Sequence, residues 1–233
     1  MTSHSEYGKL KSVFIKRPAE AFVDQNNLAM QWKELNFLSQ PDYKIANQEY
    51  ADFENLIVKS GAKIYTLPFD PQVTLDSIYC RDAAIATDHG MIICNMGKEA
   101  RSNEPAAERK SFEENGIKIL GEIKKPGTIE GGDVAWVDQH TLAVGHTYRT
   151  NWDGIHQLKN LLEPKGVQVW VVDMPHYKGP SDVFHLMSVF SPVDKDLAVV
   201  YSSLMPISFR NTLLHKGYTF VEVPESRMGF DGL

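Results

Sequence analysis

The sequence predicts an α/β fold in which one structural unit recurs four times within a single domain of residues 1–233. Each unit consists of two strands, a helix and a third strand. Three observations predict it. Glycines recur at a nearly constant spacing, turn residues separate pairs of apolar runs, and the stretches before the glycines have the apolar spacing of amphipathic helices.

Each repeat ends with a polar helical stretch, a glycine and an apolar strand. Glycine suits this position because it adopts, without steric cost, the left-handed backbone that stops a helix. The spacings between the glycines are 55, 50 and 51 residues, which is too regular for a chance arrangement. The four glycines are Gly61, Gly116, Gly166 and Gly217.

Three pairs of apolar runs flank turn sequences and predict β-hairpins. Apolar residues at helical spacing in 50–57 and 155–162 predict amphipathic helices before two of the glycines. An ordinary α/β protein without repeats also ends its helices in glycine and remains the alternative. The predicted hairpin strands are 83–85 with 91–94, 134–137 with 141–144, and 187–190 with 197–201.

Composition disfavours several classes of function. The formal net charge of −6 opposes nucleic-acid binding, and no Lys/Arg cluster favours it. No apolar run approaches the roughly 20 residues of a membrane-spanning helix, and no signal sequence is evident, so a cytoplasmic location is expected. Cys80 and Cys94 lack the spacing of a disulfide framework or a metal site. Without a phosphate-binding or dinucleotide-binding loop, neither a cofactor nor a metal is expected.

Two carboxylates, Asp76 and Asp82, lie six residues apart just before the first predicted hairpin. In an extended strand, this even spacing puts both side chains on one face. Two carboxylates on one face suit a planar cation such as guanidinium, which forms paired, charge-assisted hydrogen bonds. A solvated loop with an Asp–Arg surface pair is the alternative interpretation.

A second acidic motif, Glu130-Gly131-Gly132-Asp133, precedes the next hairpin. Its glycine pair lets the backbone pass close to a ligand or a neighbouring strand, with a carboxylate on each side. A plain turn explains the same residues equally well.

Two arginines, Arg101 and Arg149, follow the second hairpin strand in consecutive repeats. Their equivalent positions suggest that both converge on one substrate carboxylate. Either one alone would be a solvated surface residue. His185 lies in an apolar run, where it is either a core imidazole bonded to a backbone carbonyl or a general acid and base.

Taken together, these motifs resemble those of the guanidine-modifying superfamily, and most of all those of bacterial dimethylarginine dimethylaminohydrolases. The resemblance covers the whole chain and implies a five-bladed α/β propeller, the pentein fold, with about four of its five units in these residues. The five motifs, in family order, are Asp76–Asp82, Arg101, Glu130–Asp133, Arg149–Asn151 and His185–Leu186.

The resemblance also implies an activity. In that family a cysteine attacks the central guanidinium carbon and expels an amine, and water then releases a urea product such as citrulline. A small-molecule guanidino substrate is therefore the expected partner, and a homodimer is a compatible assembly. Carried over, Asp76 and Asp82 hold the guanidinium, Glu130 binds it and orients His185, His185 transfers protons, and Arg101 and Arg149 bind the α-carboxylate.

Two positions depart from the family pattern. Deiminases and amidinotransferases carry His-x-Asp, whereas Met187 occupies the aspartate position here and leaves room for an N-alkylated cation. Arg81 stands where a dimethylargininase more usually has an acid. Hydrolysis is favoured, and amidino transfer, deimination and ligand binding without catalysis remain open.

The family's nucleophilic cysteine belongs to a fifth unit, whereas this sequence has four unit endings and stops at Leu233. A further segment of about 45–70 residues with that cysteine is therefore expected. Cys94, in a hairpin strand, is interpreted as a buried structural thiol. Cys80 is a rival nucleophile, although the carboxylates beside it in the sequence would suppress its thiolate.

Overall fold

The computed structural model describes residues 4–224. Eleven strands and six α-helices occur among these residues. The strands are β1 (Ser12–Ile15), β2 (Lys63–Thr66), β3 (Ala84–Thr87), β4 (Gly90–Ile93), β5 (Ile119–Glu122), β6 (Val134–Asp138), β7 (Thr141–His146), β8 (Gln168–Asp173), β9 (Phe190–Asp194), β10 (Leu197–Val200) and β11 (Thr219–Glu222). The helices are α1 (Pro18–Ala21), α2 (Gln25–Gln31), α3 (Tyr43–Ser60), α4 (Glu104–Glu114), α5 (Trp152–Leu162) and α6 (Ile207–His215). None of these helices combines the length and apolar character needed to cross a lipid bilayer.

The four helix–glycine–strand endings predicted from the sequence are confirmed. Gly61, Gly116, Gly166 and Gly217 each follow a helix and precede a strand. Their φ angles are positive, between 70° and 94°. A Cβ at these positions would meet no neighbouring atom. The left-handed backbone itself therefore explains why glycine occupies all four positions.

The described residues form two compact units. The helical unit comprises residues 9–81 and 98–117, and the sheet unit comprises residues 4–8, 82–97 and 118–224. A single catalytic domain over residues 1–233 stays a prediction.

The sheet unit contains three sheets that share one topology. Their orders are β3-β4-β5, β6-β7-β8 and β11-β10-β9, so the second strand of each repeat lies in the centre. The first strand pairs with it antiparallel and the third pairs with it parallel. A parallel neighbour requires a crossover connection, which a helix in each repeat supplies.

The strands β6 and β7 of the sheet β6-β7-β8 are buried on both faces. Val134 and Trp136 of β6 belong to one apolar cluster, whereas Ala135 and Val137 belong to another. Successive side chains of a strand point to opposite faces, so a strand covered on both sides is apolar throughout. The first cluster also includes Ile155, Leu158 and Leu162, the fully buried face of α5.

The helical unit contains the parallel pair β1–β2 and a small core around Phe22, Leu28 and Leu75. Helix α3 begins where the Asp42 carboxylate accepts a hydrogen bond from Ile45 N at 2.9 Å, and it ends before Gly61. The predicted helix is present, but its apolar face is largely exposed. Of its residues, Ile57 alone is buried.

The extended strand expected between Asp76 and Asp82 is wrong. Residues Leu75–Ile78 and Cys80–Ala83 are 3-10 helices. Short backbone hydrogen bonds close these turns, among them Tyr79 N to Asp76 O at 2.9 Å. Strand alternation therefore does not place Asp76, Cys80 and Asp82 on one face, and Asp76 belongs to the helical unit whereas Asp82 belongs to the sheet unit.

The predicted strand 187–190 is also wrong. Residues Leu186–Ser188 form a 3-10 turn, and β9 starts only at Phe190. Ser188 closes the turn, since its N–H donates to His185 O at 3.0 Å and its hydroxyl accepts from His185 N at 3.2 Å. Pro192 lies in β9, although the sequence predicted a turn between residues 190 and 197. Its missing N–H is tolerated because β9 is an edge strand.

Candidate active site

The turn that leads into β6 is the centre of the candidate site in the sheet unit. Residues Gly131–Asp133 form a 3-10 turn, in which Asp133 N donates to Glu130 O at 3.0 Å. Both carboxylates of the turn, Glu130 and Asp133, are completely buried. Buried charges require close partners, because an unpaired carboxylate away from water is strongly destabilising.

Glu130 has partners on both carboxylate oxygens. Its Oε2 lies 3.0 Å from Nε2 of His185. Its Oε1 accepts a hydrogen bond from Gly97 N at 3.1 Å and lies 3.4 Å from Nη1 of Arg149. One carboxylate thus holds the imidazole and approaches the guanidinium of a buried arginine.

Asp82 joins this group through the glycine pair. Its Oδ1 accepts a hydrogen bond from Gly132 N at 2.9 Å. A carboxylate oxygen of Asp82, a carboxylate oxygen of Glu130 and a ring nitrogen of His185 lie within 4.8 Å of one another. All three residues are buried. Among the described residues, this group alone has the donors and spacing to hold a metal ion. The same carboxylates can accept the N–H groups of a planar organic cation.

Gly132 is the residue that allows the imidazole to lie against the turn. A Cβ at this position would lie 2.2 Å from Nδ1 of His185. No such contact is possible, so any side chain here would displace the ring. The close approach of the His185 ring therefore explains Gly132, whereas the sequence suggested a ligand, a neighbouring strand or a plain turn beside the glycine pair.

The environment of His185 favours the protonated imidazole. Burial acts to lower the pKa of His185, but the hydrogen bond to Glu130 and the negative charges of Asp133, Asp82 and Glu130 outweigh it. The pKa is consequently raised above its ordinary value. A raised pKa keeps more of the imidazole able to donate a proton near neutral pH.

Asp133 is the functional candidate that sequence reasoning missed. Its Oδ2 accepts hydrogen bonds from the hydroxyls of Thr147 and Thr150, each at 2.7 Å. Its Oδ1 accepts a hydrogen bond from Leu186 N at 3.1 Å. Burial raises the pKa of Asp133 to about 6, against the opposing effects of His185 and the three hydrogen bonds. The signal in the sequence was the pair of threonines on either side of Arg149. These threonines indicate a role for Asp133 only once the structure places the turn Gly131–Asp133 beside them.

Arg149 is buried and also lines a cavity of about 340 Å³ in the sheet unit. This volume is within the range of small-molecule sites. Its wall is mainly aromatic and polar. Besides Arg149, the lining includes Tyr148, His176, Tyr177, Asp182 and Phe184.

The other two predicted ligands, Asp76 and Arg101, lie in the helical unit. The Arg101 guanidinium donates to both oxygens of Glu104, at 2.9 and 2.8 Å, and to the carbonyl of Tyr79 at 3.0 Å. Asp76 accepts a hydrogen bond from Lys98 Nζ at 2.7 Å. Both side chains thus have partners of opposite charge within their own unit, and their substrate contacts stay predictions.

The two cysteines have structural surroundings. Cys94 is buried in the first apolar cluster of the sheet unit, as expected. Cys80 is half-buried in the helical unit, with its Sγ 3.7 Å from the carbonyl oxygen of Phe14. Met187 follows His185 by two residues, in the 3-10 turn before β9.

Comparison with known proteins reveals similarity to guanidine-modifying enzymes. Residues 74–220 match the family model described as arginine deiminase. The chain is 27% identical over 162 residues to N(G),N(G)-dimethylarginine dimethylaminohydrolase of Pseudomonas aeruginosa, covering 70% of this chain and 60% of that protein. It is 33% identical over 124 residues to the enzyme of the same name from Streptomyces coelicolor, covering 53% and 45%. The chain therefore spans about half the length of these relatives.

Solved structures confirm the predicted fold class. A cysteine-to-serine mutant of the Pseudomonas aeruginosa dimethylarginine dimethylaminohydrolase, complexed with citrulline, matches with a TM-score of 0.73 at 22% identity. The match covers 94% of this chain and 78% of that one. The chain thus has the pentein fold, the five-bladed α/β propeller class predicted from the repeats and motifs.

Proposed function

We propose, because the chain belongs to the arginine deiminase family, that it acts as an amidine hydrolase on the guanidinium group of arginine or an N-methylated arginine. One observation carries the proposal. Buried Glu130 bonds His185 through one oxygen and approaches Arg149 with the other, while Asp82 lies within 4.8 Å of Glu130 and His185. Carboxylates for a cation, an imidazole for proton transfer and an arginine for an anion occur together.

Substrate recognition is proposed to use charges of both signs. Asp82 and Glu130 would accept N–H groups of the guanidinium, whose planar fork matches paired carboxylate oxygens. Arg149 would bind the α-carboxylate, and the neighbouring cavity would hold the rest of the amino acid. This polarity favours a molecule that is cationic at one end and anionic at the other, as arginine and its methylated forms are.

The proposed reaction proceeds through a thioether. A cysteine thiolate attacks the central guanidinium carbon, the bond from that carbon to the departing amine breaks, and His185 gives the amine its proton. Water then attacks the same carbon. One proton of that water returns to His185, the other leaves to solvent, and the carbon–sulfur bond breaks to release citrulline and the thiolate.

The nucleophile of this proposal is a cysteine other than Cys80 and Cys94. Cys94 belongs to the apolar core, which disfavours thiolate formation. Cys80 contacts a backbone carbonyl in the helical unit. A cysteine supplied from outside these 233 residues fits the reaction better, and Cys80 is the alternative.

Hydrolysis of N-substituted guanidines is preferred over deimination or amidino transfer because of Met187. A thioether cannot pair with a guanidinium, whereas the aspartate that the resemblance places there in deiminases and transferases can. Met187 therefore favours, as substrate, a guanidinium in which alkyl groups replace hydrogen-bond donors.

The first test is ligand binding by the 233-residue chain. Calorimetric titration with arginine, dimethylarginine and agmatine should detect binding of all three. Glu130→Gln should weaken each by about 1.5–3 kcal/mol, because a charge-assisted hydrogen bond is lost. Asp138→Asn is the matched control, because Asp138 lies at the far end of β6 and pairs with Lys216 at 2.5 Å. Failure of the wild-type chain to bind any guanidino compound would refute the function.

The second test is turnover by the complete gene product. Citrulline and the matching amine should form, and peptide mass spectrometry should find the trapped adduct on a cysteine other than Cys80. Cys80→Ser should remain active and the 233-residue chain alone should be inert. Turnover by that chain that Cys80→Ser abolishes would make Cys80 the nucleophile. Amidino transfer to an added amine, in place of citrulline formation, would identify a transferase.

A further inference from the structure

Asp133 is a buried carboxylate to which the proposed reaction assigns no role. All three hydrogen bonds described above are donated to it, two by threonine hydroxyls and one by Leu186 N. It therefore behaves as an ionised acceptor and not as a proton donor. A charge this deeply buried is destabilising unless it is paired and hydrogen-bonded.

The partners of Asp133 lie close in sequence to two of the proposed site residues, His185 and Arg149. Leu186 follows His185, so the bond to Leu186 N fixes the backbone that carries the imidazole. Thr147 and Thr150 flank Arg149 in the loop after β7. The Asp133 carboxylate thus holds the backbone beside His185, the proposed general acid, and the loop that carries Arg149.

Thr150 extends the connection to Glu130. Its hydroxyl donates to Asp133 and accepts a hydrogen bond from Glu130 N at 3.3 Å. Thr147 contributes again, because its hydroxyl accepts from the N–H groups of Arg149 and Thr150 at 3.0 and 3.1 Å. Asp133 is therefore the point at which the segments carrying Glu130, Arg149 and His185 are joined.

The space around Asp133 is tightly limited. A Cβ on Gly145 of β7 would lie 3.2 Å from Oδ1 of Asp133 and from the Leu186 side chain. The carboxylate is therefore enclosed between β7 and the turn after His185. A side chain held by close packing and several hydrogen bonds positions its partners accurately.

We infer that Asp133 is the positioning residue of this site, which holds His185 and the Arg149 loop against Glu130 and supplies buried negative charge beside the imidazole. The inference rests on the proposed function, since this arrangement has a catalytic meaning only if His185 transfers protons. Asp133 itself exchanges no proton with the substrate. It acts through His185, which must carry a proton when the amine departs.

The charge on Asp133 depends on pH over a useful range. Burial raises its pKa to about 6. As the pH falls through that value, the carboxyl takes up a proton and its charge beside His185 is lost. The groups that face the imidazole are Glu130, Asp133 and Asp82, and all three raise the pKa of His185 against the effect of burial.

The test is an NMR titration of the His185 imidazole in the 233-residue chain, with His185→Gln used to assign the signal. Asp133→Asn keeps the shape and removes the charge, so the pKa of His185 should fall. Asp138→Asn removes a carboxylate from the same strand that faces Lys216, and the pKa of His185 should not change. An unchanged pKa in folded Asp133→Asn would overturn the inference.

Thr147→Val provides a second route if Asp133→Asn does not fold. It removes a hydrogen bond that holds down the pKa of Asp133. Asp133 then loses its charge at a higher pH, and the pKa of His185 should again fall. A wild-type titration of His185 in this variant would also overturn the inference. Neither measurement uses a ligand, so a chain that binds no guanidino compound refutes the proposed function without deciding the role of Asp133.

Discussion

Arg101 in the helical unit and Arg149 in the sheet unit are both buried, and each lies beside a buried glutamate. Arg101 donates to both oxygens of Glu104, three residues further along the chain, at 2.8 and 2.9 Å. Arg149 approaches one oxygen of Glu130 at 3.4 Å, and Glu130 also holds His185 and Gly97. A close, two-pronged pair is complete in itself. A long, single contact to a shared carboxylate can be exchanged for a substrate at small cost.

The comparison teaches that burial and charge do not identify a binding residue. What distinguishes the two arginines is how fully the protein already satisfies them. Glu104 gives Arg101 the bidentate partner that a substrate carboxylate would otherwise provide. Arg149 has no such fork-to-fork partner in the described part of the chain, and it lines a cavity of suitable size.

The largest expected effect is on stability. Arg101→Met should lower the free energy of unfolding by about 3–5 kcal/mol, because it removes one partner of a buried ion pair. Urea denaturation followed by circular dichroism measures this change. Arg109→Met is the control, since its 3.8 Å pair with the exposed Glu113 is open to solvent and its loss should destabilise the protein less than the loss of Arg101.

The same variant also tests whether Arg101 binds the substrate. If Arg101→Met unfolds at the wild-type urea concentration and binds arginine weakly, Arg101 is a substrate ligand, as its repeat position predicted. Its pairing with Glu104 would then be a resting arrangement that the substrate replaces.

The next effect is on ligand affinity. Arg149→Ala should weaken arginine binding by about 2–5 kcal/mol through loss of a buried pair with the α-carboxylate. Agmatine lacks that carboxylate and should bind as before. Calorimetry with both ligands measures the difference. Equal losses for arginine and agmatine would show that Arg149 supports the fold and does not bind the carboxylate.

The smallest expected effect is on the pH dependence of stability, through Asp133 in the sheet unit. The pKa of Asp133 is raised from 3.8 to about 6 in the folded protein, so its contribution to stability is present below pH 3.8 and is lost as the pH rises through 6. His185 acts in the same direction, since its raised pKa gives stability that is lost as the pH rises through that raised pKa. Between pH 5 and pH 8, ionisation of Asp133 should lower the free energy of unfolding by about 1 kcal/mol.

Urea unfolding at the two pH values measures that cost. Asp133→Asn should lose about 1 kcal/mol less than the wild type between pH 5 and pH 8. Asp138→Asn should follow the wild type, because Asp138 stays paired with Lys216 across this range. Identical pH dependence in Asp133→Asn and the wild type would show that Asp133 titrates alike in the folded and unfolded chain.

The repeats could be identified from the sequence because a single residue type, glycine, marks the left-handed position at the end of each helix. The family resemblance assigned Asp82, Glu130, Arg149 and His185 to one site, and the structure brings these four side chains together. Sequence reasoning did not find the 3-10 turns at 75–83 and 186–188, whose hydrogen bonds are short-range and leave no periodic pattern.

Treating the two arginines as equivalent hid a difference that the sequence contains. Three residues after Arg101 stands Glu104, whereas Trp152 stands three residues after Arg149. An acidic side chain at that spacing can satisfy an arginine locally, and an indole cannot. The role of Asp133 was beyond reach because its partners are 14, 17 and 53 residues away along the chain.

The arrangement of strands also bears on how the protein acquires its structure during synthesis. Each sheet of the sheet unit takes its strands from one stretch of the chain, residues 84–122, 134–173 and 190–222. Strands close in sequence meet quickly because the entropy lost in closing short loops is small. Each sheet can therefore form soon after its own segment leaves the ribosome. The site around Glu130 must wait longer, because His185 is made only after the sheet β6-β7-β8 is complete.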